Sequence, residues 1–238
     1  MRKNSSVGLI LSLILFAGTA FAQDTGLAAV KNRIADEVMI QDLDVREETG
    51  KVILEGRVQS LREKAKAEEI AEKQLDREVV NNIVLATSQK TDEEITTDVL
   101  SAIRSSTGRS FLFNSISVET RGGNVILTGK VRDPILVDIA EKGAGKVAGV
   151  VSVSNQIEVL PASTADERLR RAIVNRISRD SFLRTYFVGL APFSIIVENG
   201  RVTLVGSVRT EGDRLKIGSI ARSTFGVLSV DNQLQFGS

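Results

Sequence analysis

A pattern of glycines and apolar residues occurs three times in the chain and constrains the fold more than any other feature. The segment Gly-x-Val-x-Leu-x-Gly-x-Val begins at Gly50, at Gly123 and at Gly200. A second pattern, Val-x-Asn-x-Ile or Leu, closes each copy and contains Asn81, Asn155 and Asn232. Recurrence of this kind indicates a chain built from repeated units of one fold.

Each copy predicts a β-hairpin. The residues on both sides of the first glycine alternate between apolar and polar, as in strands with one buried face. The first glycine takes the turn, where a positive φ is easily reached. The second glycine lies inside a strand, where it suggests a bulge or a close backbone approach. We interpret all six glycines as structural: Gly50, Gly56, Gly123, Gly129, Gly200 and Gly206.

Helix-start signals flank each hairpin, and apolar residues spaced three and four apart follow them. The first helix of each copy is predicted to begin near Thr25, at Thr91-x-x-Glu94 and at Thr164-x-x-Glu167. The second helix is predicted to begin at Ser60-x-x-Glu63, at Asp133-Pro134 and at Thr210-x-x-Asp213. In the second of these signals Asp133 is the expected N-cap and Pro134 the first helical residue.

The order helix, strand, strand, helix, strand defines the fold class. Two helices can cover one face of a small sheet, which predicts a two-layer α+β domain. Polar stretches at 87–91 and 161–164 separate the copies. The predicted domains are therefore 26–87, 92–160 and 164–237, three tandem αββαβ units.

These patterns resemble the BON domain family (bacterial OsmY and nodulation). The family carries the same central hairpin and a final strand Gly-Val-x-x-Val-x-Asn-x-Ile/Leu, which is present at 149–157 and 226–234. Copy one departs from it, with Leu75 and Asp76 in place of Gly-Val. The resemblance covers residues 27–236 and implies that each domain has a mixed three-stranded sheet.

The resemblance also implies a function. BON domains are expected to be non-enzymatic binding modules of the bacterial periplasm, linked to osmotic stress, envelope integrity and contact with anionic phospholipid. Family lipoproteins carry a lipid-anchored cysteine, and some members add a LysM module. Since this chain has no cysteine, it is expected to be closest to the soluble OsmY-like type.

The first 22 residues have the features of a signal peptide. Arg2 and Lys3 precede an apolar run at 7–16, and Ala20-Phe21-Ala22 forms a small-x-small cleavage site. Cleavage is predicted between Ala22 and Gln23, which would deliver the protein to the periplasm without a transmembrane span.

The amino-acid composition excludes several kinds of catalytic and metal-binding site. The chain has no Cys and no His, which excludes thiolate or imidazole metal ligands, cysteine nucleophiles and Ser-His-Asp catalysis. Its formal net charge of +1 gives no case for nucleic-acid binding. A glycine-rich segment at 143–149 lacks the Ser or Thr that a phosphate-binding loop needs after its lysine. We therefore predict no enzyme activity, no cofactor and no metal.

Charge and aromatic residues are concentrated in copy three. Residues 164–238 contain eleven basic and seven acidic residues, whereas residues 27–86 contain ten and thirteen. Six of the eight aromatic residues after position 22 also lie there. Arginines and aromatic rings together suit an anionic membrane surface or an acidic partner. The candidate contact residues are Arg168, Arg171, Arg179, Phe182, Arg184, Tyr186 and Phe187.

Two interpretations of this region stay open from sequence alone. The arginines can form a solvated helix face with the rings filling a core, or the region can bind a membrane or partner. Two functions stay open as well. One is association with anionic phospholipid through domain three; the other is chaperone-like binding of unfolded or outer-membrane client proteins in the periplasm.

Overall fold

A computed structural model describes residues 17–189 and 191–237, and three copies of one fold follow one another along them. The first copy comprises α1 (Ala17–Glu37), β1 (Ile40–Glu48), β2 (Lys51–Val58), α2 (Leu61–Gln74), β3 (Val79–Asn81) and β4 (Val84–Leu85). The second comprises α3 (Asp92–Thr107), a 3₁₀ helix (Gly108–Phe113), β5 (Ser115–Arg121), β6 (Asn124–Val131), α4 (Ile135–Ala144) and β7 (Ser152–Val159). The third comprises α5 (Thr164–Arg179), a 3₁₀ helix (Leu183–Phe187), β8 (Phe193–Glu198), β9 (Arg201–Val208), α6 (Glu211–Arg222) and β10 (Ser229–Phe236).

Each copy has its own mixed sheet with the hairpin's second strand at the centre. The central strands β2, β6 and β9 pair antiparallel with the strand before them and parallel with the last strand of the copy. In copy one the last strand is divided, and both β3 and β4 pair with β2. This confirms the predicted α+β class and the αββαβ order of each domain.

Each sheet packs against its helices around a separate core. The apolar stripe of the first helix is buried in every copy: Val30 and Ile34, then Ile95, Val99 and Ile103, then Ile173 and Ile177. A residue buried to this degree contributes about 1.5–3 kcal/mol of transfer free energy. The three- and four-residue spacing therefore identified the faces that hold the layers together.

The recurring asparagine joins the last strand to the second helix. Asn155 Nδ2 donates to the carbonyl oxygen of Val137 at 3.0 Å, and Asn155 Oδ1 accepts from the Ile157 amide at 3.3 Å. Asn232 does the same with Arg214 and Leu234. The same pair of bonds is present in copy one, from Asn81 to Lys64 and Ile83. The second sequence pattern therefore marks a polar tie between the two layers.

Two helix starts differ from the prediction by one residue. The box at Thr91 forms as expected, with reciprocal bonds to Glu94 of 2.8 and 3.2 Å. In copy three, however, Ser163 rather than Thr164 is the N-cap, because its hydroxyl accepts from the Asp166 amide at 3.1 Å. In copy two the helix begins after Pro134, and the Asp133 carboxylate accepts from the Ile135 amide.

The described residues up to 59 and residues 63–86 form one compact unit, and residues 60–62 with the second and third copies form another. Within that second unit, the 3₁₀ helix of copy two places Leu112 against the core of copy three. Lys130 Nζ pairs with Glu198 at 2.5 Å, and an Arg132 Nη pairs with Glu167 at 3.0 Å. Copies two and three are thus joined by apolar and ionic contacts as well as by the chain.

Residues 1–16 of the predicted signal peptide lie outside the described residues, and the predicted cleavage bond after Ala22 lies within α1. Among the described residues, no helix combines the length and the apolar character that a membrane span requires.

Candidate functional site

The candidate arginines lie on the outer face of α5. Arg168, Arg171 and Arg179 are exposed, while Ile173 and Ile177 on the opposite face are buried. Arg171 Nε donates to Glu167 at 2.9 Å. Helical geometry brings all three guanidinium groups to one side of the rod, about 16 Å from the first to the last. The helix therefore presents a row of positive charge to its surroundings.

The aromatic residues of the connector after α5 divide into two groups. Phe182 is 73% exposed, and Lys216 Nζ lies 5.3 Å from its ring centroid. Tyr186 is buried, and its hydroxyl donates to Asp213 at 2.8 Å. Phe187 is half-buried, with its ring edge-to-face on Phe193 at 6.2 Å. Arg184 is exposed.

The fold corrects the prediction for Tyr186, which is buried in the core of copy three and does not offer a surface to a partner. Phe187 packs against the same core but is half-buried. The Tyr186 hydroxyl is satisfied by its hydrogen bond to Asp213 of α6. The Phe187 ring buries apolar area by its edge-to-face contact with Phe193 of β8. Arg184 and Phe182 remain available at the surface, together with the three arginines of α5.

The structure also identifies an exposed apolar loop that sequence reasoning did not select. Phe225, between α6 and β10, is 100% exposed, and Leu228 is 77% exposed. In copy two, Ala148-Gly149 occupies the place of Phe225-Gly226. The sequence signal that could have identified this loop is the large ring of Phe225 beside a turn glycine, at a position where copy two has only the methyl group of Ala148.

This loop is held against α5. Arg176 Nη1 donates to Thr224 Oγ1 at 2.9 Å, and Nη2 donates to Ser223 Oγ at 3.0 Å. A Cβ added to Gly226 would lie 3.2 Å from Leu169 Cδ2. Contacts from two turns of the helix therefore hold the Phe225 loop against α5, on a different side of the helix from Arg171.

Asp166, in the first turn of α5, fixes the hairpin of copy three. Its carboxylate oxygens accept from the amides of Asn199 at 3.0 Å and Gly200 at 2.8 Å. Burial raises the pKa of Asp166, but the bonds from Gly200 and Asn199 outweigh burial and hold it below its usual value. Asp92 binds the amides of Gly122 and Gly123 in the same way, which lowers its pKa.

The six glycines of the repeated pattern all have positive φ. At Gly129, an added Cβ would lie 2.0 Å from the Ser115 carbonyl oxygen, and at Gly206 it would lie 2.5 Å from that of Pro192. At Gly50, in contrast, nothing lies within 4 Å. The strand glycines therefore permit close passage of the neighbouring strand, and the turn glycine of copy one supplies backbone conformation alone.

No group of three or more carboxylates in residues 17–189 and 191–237 is arranged to hold a metal ion. The carboxylates with lowered pKa bind backbone amides, arginines or a lysine rather than facing a shared reacting position. The notable surface chemistry of copy three is thus cationic and apolar.

A family model for the BON domain matches residues 26–87, 91–161 and 165–238. The chain belongs to the BON domain family. BON domains are non-catalytic binding domains that are often linked to membranes and phospholipids. The three copies are hereafter the first, second and third BON domains.

Among the solved structures that are similar to this chain are two of CdsD, a structural protein of the type III secretion system of Chlamydia trachomatis. The CdsD C-terminal domain is 11% identical with a TM-score of 0.26; the match covers 89% of this chain and 98% of that one. The second CdsD structure is 13% identical with a TM-score of 0.24, and 89% and 93% are covered. No curated protein matches the sequence.

Proposed function

We propose that this protein is a non-enzymatic binder of anionic phospholipid surfaces and that its third BON domain makes the contact. The observation that carries the proposal is the position of Phe225, fully exposed in a loop that Arg176 and Leu169 hold against α5, the helix that also carries the exposed arginines. Exposed rings beside cationic side chains suit the boundary between headgroups and acyl chains.

The charges and the ring supply complementary parts of the attraction. Each arginine near an anionic surface contributes about 1 kcal/mol, so Arg168, Arg171 and Arg179 together give about 3 kcal/mol. Burial of the Phe225 ring in the interface adds up to about 3 kcal/mol. The sum corresponds to reversible peripheral attachment, and its electrostatic part decreases as salt rises because screening acts over about 8 Å at physiological ionic strength.

We place this activity in the bacterial periplasm, in the context of envelope integrity and osmotic stress. The support is the signal-peptide pattern at 1–22 together with the family membership. Intact-mass measurement of the exported protein tests the location. A chain beginning at Gln23 is expected, and a mass that includes the first 22 residues contradicts the proposal of cleavage.

Vesicle flotation tests the membrane contact. The purified chain lacking residues 1–22 is mixed with phosphatidylcholine vesicles, with and without phosphatidylglycerol, across a salt series. We expect binding only to the anionic vesicles and loss of most of it at high salt. The triple change Arg168→Glu, Arg171→Glu and Arg179→Glu should abolish flotation while circular dichroism stays native.

A matched control makes the same charge change in the first BON domain. Lys31, Arg33 and Lys73 are exposed in α1 and α2, and the triple change of these residues to Glu gives the same net charge. This control should float as the unmodified chain does. Equal losses in both triple variants would mean that net charge alone governs binding. Absence of flotation in the unmodified chain would overturn the proposal and favour client-protein binding.

A further inference from the structure

A cleft lies at the junction of the second and third BON domains, where β6 ends and α5 begins. Its volume is about 590 Å³. In the described part of the chain, four arginines and one carboxylate line it: Arg132, Arg168, Arg170, Arg171 and Glu167. We call this space the junction cleft. Its lining has an excess of positive charge, although the second BON domain is acidic in composition.

Glu167 does not satisfy the guanidinium groups around it. It accepts from Arg171 Nε at 2.9 Å, from an Arg132 Nη at 3.0 Å and from Arg170 Nη1 at 3.4 Å. A guanidinium has more N–H donors than one carboxylate can share among three such groups. Donors without an anionic partner therefore remain in the junction cleft.

Arg170 shows this shortage of anionic partners most clearly. Its side chain is 4% exposed; Nη2 donates to the Val197 carbonyl oxygen at 2.5 Å, but the buried Nε has no hydrogen-bond partner. Burial, and then the charge of Arg132, lower the pKa of Arg170 despite the nearby Glu167. A buried donor that is left unpaired is costly. Additional negative charge in the cleft would stabilise this arginine.

We propose that the junction cleft binds a phosphate group. Planar guanidinium groups bind phosphate oxygens with paired N–H bonds. The cleft also includes Ser163 and Thr164 at the start of the sixteen-residue helix α5, whose N-terminal partial charge favours an anion. The phosphate can belong to a phospholipid headgroup or to a small solute. In the lipid case the inference rests on the proposed function, since Arg168 and Arg171 serve both surfaces.

Calorimetric titration of the chain lacking residues 1–22 with glycerol 3-phosphate, and separately with inorganic phosphate, tests the cleft without a membrane. We expect saturable binding. Arg132→Gln should weaken it at least about tenfold, because one charged donor is removed. Arg222→Gln is the matched control, an exposed arginine in the last turn of α6 that is not among the residues lining the cleft. It should leave the affinity for both phosphate compounds unchanged.

Glu167→Gln separates ligand binding from folding defects. Removal of Glu167, the only carboxylate among the described residues that line the cleft, should tighten phosphate binding. A loss of structure would change the affinity in the opposite direction. Flotation of the same variants then identifies the source of the phosphate. If Arg132→Gln also weakens binding to phosphatidylglycerol vesicles, the cleft holds a lipid headgroup; if vesicle binding is unchanged, it holds a soluble phosphate. No saturable phosphate binding, or equal affinity in Arg132→Gln and the unmodified chain, overturns the proposal even where vesicles bind.

Discussion

The Ser194 hydroxyl in β8 of the third BON domain donates a hydrogen bond to the Phe111 carbonyl oxygen of the second. Its Oγ lies 2.7 Å from the Phe111 carbonyl oxygen and 2.8 Å from that of Asn114, so its one hydrogen serves two backbone acceptors. Leu112, between those acceptors, packs against the core of the third domain. A short 3₁₀ helix therefore makes the second domain part of the packing of the third.

This contact predicts that the second and third domains unfold together. The double change Leu112→Ala and Ser194→Ala removes apolar contact and the hydroxyl donor that the Phe111 and Asn114 carbonyl oxygens share, at a cost of about 2–4 kcal/mol. Differential scanning calorimetry should show one transition for the two domains, which the double variant lowers or divides. Val188→Ala, at a site that is 84% exposed, should leave it unchanged. An unaltered transition in the double variant would contradict the coupling.

A second prediction concerns the strand glycines. Gly206→Ala should destabilise the third domain by about 3 kcal/mol or more, because its Cβ would meet the Pro192 carbonyl oxygen at 2.5 Å and the Phe193 Cα at 2.6 Å. Gly189→Ala in the same domain should cost only about 1 kcal/mol, since φ is +90° there but nothing lies within 4 Å. Thermal denaturation compares the two variants. Equal losses would show that backbone conformation, rather than close approach, requires glycine at position 206.

A third prediction tests the polar tie between the last strand and the second helix. Asn232→Ala removes the donor to the Arg214 carbonyl oxygen and the acceptor for the Leu234 amide, and should cost about 1–3 kcal/mol. Asn155→Ala should cost about the same in the second domain. Urea denaturation measures both, with the exposed Gln233→Ala as control. A loss no larger than that of the control would mean that the asparagine is dispensable.

A fourth prediction concerns pH. The folded-state pKa of Asp166 is lowered, so its contribution to stability is present above the unfolded-state pKa of about 4 and is lost as pH falls through the folded value. Asp166→Asn should therefore lower the melting temperature at pH 7. The difference from the unmodified chain should shrink as the pH decreases below about 4. The exposed Asp231→Asn is the control, and a difference that is independent of pH would contradict the assigned role.

The fold of each domain could be predicted because its determinants are local and repeated. Turn glycines, capping residues and apolar stripes occur within a few residues of the elements that they define, and three copies reinforce each assignment. The function of Asn155 and Asn232 was not predicted, since each binds a helix carbonyl oxygen eighteen residues earlier in the chain.

The candidate surface was predicted only in part, and the reason is the distance of the partners along the chain. Exposed positions for Arg168 and Arg179 follow from helical periodicity alone. The inward direction of Tyr186 depends on Asp213, 27 residues later, and the placement of Phe225 depends on Arg176 in another helix. Residue type alone does not indicate that Tyr186 faces the core and Phe225 faces solvent, because both are aromatic. The direction of each ring is determined by tertiary contacts, and the repeated pattern does not encode those contacts.

The last prediction uses the absence of tryptophan from the chain. Phe225→Trp places a single indole at a fully exposed site, so the indole emission in buffer should be that of a water-exposed group. Anionic vesicles should shift the emission to shorter wavelength, because the ring enters the boundary between headgroups and acyl chains. Phe182→Trp, at another exposed ring of the domain, serves as the comparison. Flotation of Phe225→Trp without a spectral shift would show that arginine charge alone holds the domain on the surface, and a shift confined to Phe182→Trp would place the contact at the connector after α5.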